Sequence, residues 1–129
     1  MASLLALDTT LLIDHRRHHP DASPYVLDLL ANGVAAVHPV CAAELLEGVI
    51  GKASMAASRQ FLAAFRMLPV KPADFTTCLD LVADLRLAHG IGWADCLIAA
   101  TCLRLDVPLV TINDRHFRRI RALRVVRPY

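Results

Sequence analysis

Short apolar runs bounded by turn residues alternate along this chain with longer stretches of helical spacing, and no other feature restricts the fold as much. That alternation is the βαβ signature of a parallel sheet covered by helices. The expected fold class is therefore α/β, a three-layer α/β/α sandwich with a central, mostly parallel sheet. Strands are expected at Leu4 to Leu7, Val34 to His38, Leu68 to Lys71, Pro108 to Thr111 and, at an edge, Arg124 to Arg127. A helical turn begins near Thr10, His15 to Pro20 reads as a loop, and helices cover Pro24 to Asn32, Cys41 to Ile50, Met55 to Phe65, Ala73 to His89 and Trp93 to Leu105. Gly33 ends one helix, Pro39 breaks the second strand, Gly90 and Gly92 form a hinge, and Asp114 to Ile120 is a short helix or turn. The helix from Trp93 is apolar nearly all round and should be buried. With 129 residues, 56% of them hydrophobic, and no repeat or linker, residues 1–129 read as one domain.

Four carboxylates do not suit the places they occupy. Asp8 directly follows the first strand, at the carboxyl end where parallel sheets bind ligands; the same position suits an N-cap, and the residue alone leaves both readings open. Asp95 has Ile98, Ala99 and Cys102 at i+3, i+4 and i+7, so it leaves an apolar helix face. An unpaired buried carboxylate is costly or takes up a proton, so it must meet a cation, hydrogen-bond donors or a metal. Its first-turn position also gains roughly 0.3–1 kcal/mol from the helix dipole, which is a purely structural reason to be there. Glu44 lies early in a helix after the Pro39 break, with Glu47 one turn on and Gly48 open to close backbone approach; either acid also suits a surface. Asp114 follows Leu109-Val110-Thr111, with Thr111 and Asn113 offering oxygens and an amide, and it equally suits a turn.

If the four converge, like charges about 4 Å apart repel by roughly 4 kcal/mol per pair at an effective dielectric of 20. Divalent cations relieve that repulsion. Oxygen ligands without His or Cys favour Mg²⁺, or Mn²⁺ as a substitute, over zinc. Such a site suits phosphodiester hydrolysis, where metal lowers the pKa of the attacking water and stabilises charge on the phosphate and leaving oxygen.

Four short motifs follow one another over nearly the whole chain. Leu7-Asp8-Thr9-Thr10 leads into Leu11-Leu12-Ile13-Asp14, and Glu44-Leu45 precedes Gly48. Leu85-Arg86 and Gly90-Ile91 lead to Asp95-x-x-Ile98-Ala99-Ala100, and Leu109-Val110-Thr111-x-Asn113 to His116-Phe117. In order and spacing they resemble the PIN-domain family, and in length its VapC toxins. The resemblance implies that Asp8, Glu44 and Asp95 hold the metal and act in catalysis. It also implies that Asp114 completes or supports the site, beside Thr9, Thr10, Thr111 and Asn113. Two positions depart from the family pattern: Thr10 stands where Asn or Ser is commoner, and His116 where many relatives carry the fourth acid and others carry His.

What the resemblance implies for function is an Mg²⁺-dependent endoribonuclease that cuts cellular RNA, commonly transfer or ribosomal RNA, and arrests translation. Implied partners are that RNA, a second copy of the chain, and a VapB-type antitoxin lying across the acidic site. Two further readings stand beside it: a housekeeping RNA-processing nuclease, and an RNA- or protein-binding module with a degenerate PIN site.

The net charge of +2 hides an asymmetry, because Arg115, Arg118, Arg119, Arg121, Arg124 and Arg127 crowd one short segment. That crowding suits an anionic partner such as RNA or an ordinary solvated surface. Cys41, Cys78, Cys96 and Cys102 show no C-x-x-C pairing and read as reduced core residues. The opening from Met1 to Leu7 lacks a positive start and suits a buried strand better than a secretory signal. The longest apolar candidate, Gly92 to Val110, is interrupted by Asp95, Arg104, Asp106 and Pro108. A cytoplasmic protein with no membrane span is expected.

Several decoys drop out. Gly48-Val49-Ile50-Gly51-Lys52 follows a helix and has Ala53 after the lysine, against the phosphate-loop pattern. His15, His18 and His19, beside Arg16 and Arg17, read as a solvated cluster, and Trp93 as packing at the start of a buried helix. A haloacid dehalogenase phosphatase needs a second Asp where Thr10 stands, and a receiver domain needs a late lysine, whereas Lys52 and Lys71 are the only lysines.

Overall fold

The computed structural model describes residues 3–129, so Met1 and Ala2 of the expected opening lie outside the described residues. The chain runs β1 (Leu5–Leu7), α1 (Thr9–Arg16), α2 (Ala22–Ala31), β2 (Ala35–Val37), α3 (Pro39–Glu47) and α4 (Lys52–Ala63). It continues through β3 (Arg66–Met67), α5 (Pro72–His89), α6 (Trp93–Leu105), β4 (Leu109–Val110), α7 (Asp114–Phe117) and β5 (Val125–Val126). Among the described residues the strands form one sheet in the order β3-β2-β1-β4-β5, every pair parallel. Ala6 sits opposite Ala36 on one side and Leu109 on the other. The chain fills one side of β1 with β2 and β3, then crosses to the other side for β4 and β5. Order reverses at β1, and the crevice beyond the carboxyl ends of β1 and β4 is where such sheets hold ligands.

Central strands of a covered sheet can carry no exposed polar face, and Ala6, Leu7, Ala36, Val37, Leu109 and Val110 are all fully buried. Around them pack Leu11, Leu12, Leu45, Ile98 and Phe117, each worth about 1.5–3 kcal/mol of apolar burial. A smaller cluster of Cys78, Ile91, Cys96, Leu97 and Ala100 joins α5 to α6. The buried face expected of α6 is present, since every residue from Cys96 to Cys102 is buried. All four cysteines are free and buried. Among the described residues no helix is long and apolar enough to cross a membrane.

The structure departs from the local expectations at several points, among them the bounds of three helices, with α2 at Ala22–Ala31, α3 at Pro39–Glu47 and α4 at Lys52–Ala63. The third strand lies at Arg66–Met67 instead of Leu68 to Lys71: both strand residues are exposed, so the edge carries no apolar signal, while buried Leu68 drew the reading downstream. Helix α1 runs through Arg16, so His15 belongs to a helix and not to a loop. The histidines are not simply solvated, because His15 stacks on Phe61 at 4.8 Å and His19 on Tyr129 at 4.9 Å between ring centroids. Trp93, expected to pack, is 62% exposed at the first position of α6. Pro39 does more than break β2; it opens α3, where its missing N–H costs nothing. Gly33 and Gly90 end α2 and α5 in the left-handed region, at φ +68° and +70°, where a side chain would be strained.

Candidate functional site

Asp8 occupies the N-cap position of α1, but its side chain makes no capping bond; the backbone oxygen alone accepts from Leu11 and Leu12. The carboxylate instead turns toward β4. Oδ2 accepts from Thr111 Oγ1 at 2.8 Å and from Thr10 Oγ1 at 3.2 Å, and Oδ1 meets only the weak donor Cys41 Sγ at 3.9 Å. Of the two readings the sequence left open, capping therefore does not account for the side chain, which is buried at the crevice. The second layer is ordered in turn, since Asn113 N–H donates to Thr111 Oγ1 at 2.9 Å and Ile112 N–H to Thr10 Oγ1 at 3.3 Å.

Asp95 projects from the first turn of α6, half-buried, with Oδ2 at 3.2 Å from His116 Nε2. That is an ion-pair distance, but the approach is off-axis, and the buried His116 Nε2 has no hydrogen-bond partner among the described residues. Burial pushes the Asp95 carboxyl up to about 6, and the charges of Asp8 and Glu44 push the same way, with His116 opposing. Glu44 is exposed on α3, its Oε1 accepting from Thr9 Oγ1 at 2.8 Å. Asp8 and Glu44 also both raise the buried Cys41 thiol well above its usual range, after burial itself. Asp95 thus feels the charge of both Asp8 and Glu44.

Asp114 is not brought into that group. Its Oδ2 accepts from Arg118 Nε at 3.1 Å and its Oδ1 from Arg127 Nη1 at 3.0 Å, which holds the carboxyl below the usual range, and it has no share in raising Asp95. The i,i+4 spacing to Arg118 was the available signal for this outcome. Gly48 is also not needed for close approach: a Cβ there would meet Arg16 Nη2 at an ordinary 3.5 Å, and its φ is −85°.

Sequence reasoning missed a second polar group, between α5 and α6. Asp74, buried on α5, accepts from Arg104 Nε at 2.6 Å, Thr101 Oγ1 at 2.9 Å and Lys71 N–H at 3.0 Å. The Arg104 bond, ahead of the others, lowers its carboxyl to about 2. Thr101 Oγ1 also lies 3.0 Å from Nε2 of buried His38, which burial holds down to about 4 against the pull of Asp74. No local motif announces this group, because its members lie on three helix segments far apart in sequence.

Donor chemistry at Asp8, Glu44 and Asp95 fits a hard divalent cation. All three offer oxygen, and burial, followed by the charges of Asp8 and Glu44, raises Asp95. Among the described residues no three His, Cys, Asp or Glu side chains already stand in a closed ligand cluster. Thr9, Thr10 and Thr111 each hold one oxygen of an acid to the side.

The family model of the PIN domain matches residues 5–123. The chain belongs to the PIN-domain family. This PIN domain is 35% identical over 113 residues to Ribonuclease VapC19 of Mycobacterium tuberculosis, covering 86% of this chain and 90% of that protein. It is 31% identical over 115 residues to Ribonuclease VapC10 of the same organism, covering 88% and 86%. Among solved structures it resembles VapBC2 from Rickettsia felis bound to a promoter DNA fragment, at 25% identity and a TM-score of 0.76 over 95% of this chain and 97% of the other. The all-parallel sheet flanked by helices is the PIN-like α/β/α fold expected from the sequence.

Proposed function

We propose that this PIN domain is a metal-dependent endoribonuclease, the toxin of a VapBC-type pair, that hydrolyses phosphodiester bonds of cellular RNA such as transfer or ribosomal RNA. The observation that carries the reading is the placement of Asp8 just past β1 at the sheet's switch point, its Oδ2 held by Thr111 and Thr10 and its Oδ1 left without a strong donor, beside half-buried Asp95, whose carboxyl is raised first by burial and then by Asp8 and Glu44. Relatives named as ribonucleases support the reaction class, and the VapBC2 assembly supports a VapB-type antitoxin as partner.

Asp8, Glu44 and Asp95 would hold Mg²⁺, or Mn²⁺ in its place. A cation bound there supplies a water of lowered pKa and charge stabilisation on the phosphate and leaving oxygen. The chain's own residues supply alignment. Thr111 and Thr10 fix Asp8 through Oδ2 and leave Oδ1 available; Thr9 does the same for Glu44 through Oε1. Asn113 contributes through its backbone N–H, by fixing Thr111. We assign Asp114 to holding α7 against the tail through Arg118 and Arg127 instead of to ligation. Exposed Phe75 and Leu79, one turn apart on α5, support a second copy of the chain as a further partner. The cytoplasm, where RNA and antitoxin are met, is the proposed location.

The test is cleavage of total cellular RNA by purified protein. Activity with Mg²⁺ or Mn²⁺, abolished by EDTA and by Asp8→Asn or Asp95→Asn, is the expected result; EDTA-resistant activity would overturn it. The lack of a closed ligand cluster favours one rival, a binding module with a degenerate site. RNA binding with no cleavage under either ion would support that rival.

A further inference from the structure

We propose that the cavity between the end of α5 and α7 is a phosphate subsite, holding the backbone phosphate next to the bond that is cut. The proposal rests on the ribonuclease reading and adds to it a place for the substrate.

The cavity is about 320 Å³, lined by His89, Ile91, Asn113, Arg115, His116 and Arg119. Its position follows from His116, whose ring forms one wall while Nε2 lies 3.2 Å from Asp95. The cavity therefore begins where the acidic group ends, and a strand lying across the acids continues into it.

Its charge follows from how the arginine-rich segment sorts itself. Arg118 and Arg127 pair with Asp114, and Arg124 with Asp106. Arg115 and Arg119, four residues apart, have no carboxylate partner among the described residues, and both line the cavity with exposed His89. None of the carboxylate-paired arginines lines the cavity, and of the three in this segment without a carboxylate partner among the described residues two, Arg115 and Arg119, do, while Arg121 lies outside it.

The lining also selects which anion chemistry fits. Arginine offers only donors, in a fork that matches two oxygens of a phosphate, and the Asn113 amide adds another donor at the rim. An arginine fork can also meet the acceptors of a guanine edge, but that edge carries no charge to match two unpaired guanidinium groups, as a phosphate does. Fully buried Ile91 closes the floor without competing for hydrogen bonds. The seat thus reads the backbone, not the sequence, and its work is to fix register over the acids.

The test uses the full chain in EDTA, so that RNA is bound but not cut, with a fluorescent random-sequence 20-nucleotide single-stranded RNA followed by anisotropy. Arg115→Gln and Arg119→Gln should each weaken binding several-fold at low salt. Each should also reduce the slope of log affinity against log salt by about 0.7, the value for one phosphate contact on a single strand. Arg59→Gln, on α4 beside the opposite sheet edge, should leave both unchanged. With Mg²⁺ present, the two cavity variants should raise KM for RNA cleavage more than they lower kcat. Wild-type cleavage or binding matched by both cavity variants would overturn the subsite while leaving the ribonuclease reading intact. Failure of wild type to bind or cleave RNA would overturn both. Variants that keep RNA affinity but lose affinity for a polyglutamate peptide would show the cavity to be an acidic-peptide site, which also overturns the proposal.

Discussion

Three threonines decide how the acids present themselves. Thr111 and Thr10 draw one oxygen of Asp8 toward β4, and Thr9 draws one oxygen of Glu44 toward α1, so each acid keeps a second oxygen for a cation. Thr111→Val preserves shape and removes both the donor to Asp8 and the acceptor for the Asn113 N–H, a change of about 1 kcal/mol or somewhat more. If that loss falls on alignment, RNA cleavage should drop about fivefold with the melting temperature nearly unchanged, read by initial rates and a thermal scan. A second expectation separates the acids: Asp8→Asn should abolish Mn²⁺ binding in calorimetry, whereas Asp114→Asn should leave it within about threefold, since its oxygens serve Arg118 and Arg127. Asp8 and Asp95 were legible in the sequence because a carboxylate after an apolar strand, or on an apolar helix face, needs a reason. Asp114 looked similar; its i,i+4 spacing to Arg118 was legible, whereas its second arginine, Arg127 beyond β5, was not.

At the scale of elements, the contact between α5 and α6 depends on a buried charge. Asp74 is held by Arg104, Thr101 and the Lys71 N–H, and its carboxyl lies near 2 in the fold against an ordinary 3.8. A lowered carboxyl stabilises the folded state above its unfolded value and loses that contribution as pH falls through the folded one. The stability gap between wild type and Asp74→Asn should therefore be full above about pH 4 and shrink toward pH 2. After screening on the solvent side of Arg104, the titrating part is about 1 kcal/mol, measurable by urea unfolding at stepped pH. A gap that does not change between pH 5 and 2 would remove the charge from the explanation. Element types were mostly legible, because long periodic helices and apolar central strands announce themselves. The edge strand β3 was not: its residues face solvent and pair on one side only, so pairing and not burial defines it.

Over the whole molecule, charge is divided between an acidic group at the switch point and unpaired arginines beside it. A divalent ion held as proposed would relieve repulsion within the acidic group, and a ligand that binds only the folded chain stabilises it by mass action. Mn²⁺ at about 100 times its dissociation constant should add roughly 2.7 kcal/mol, seen as a rise in melting temperature that is lost in Asp95→Asn. The α/β/α class and the parallel sheet were legible from alternation alone; strand order was not, because sequence spacing does not say on which side of β1 the chain returns.

The most direct measurement is anomalous scattering from crystals of the chain soaked in Mn²⁺. The expected result is a peak within coordination distance of Asp8 and Asp95 oxygens, with Glu44 bound directly or through water, and none at Asp114. Peaks confined to surface acids such as Asp106, with Asp8 still held by Thr10, Thr111 and Cys41, would contradict the metal site and with it the nuclease.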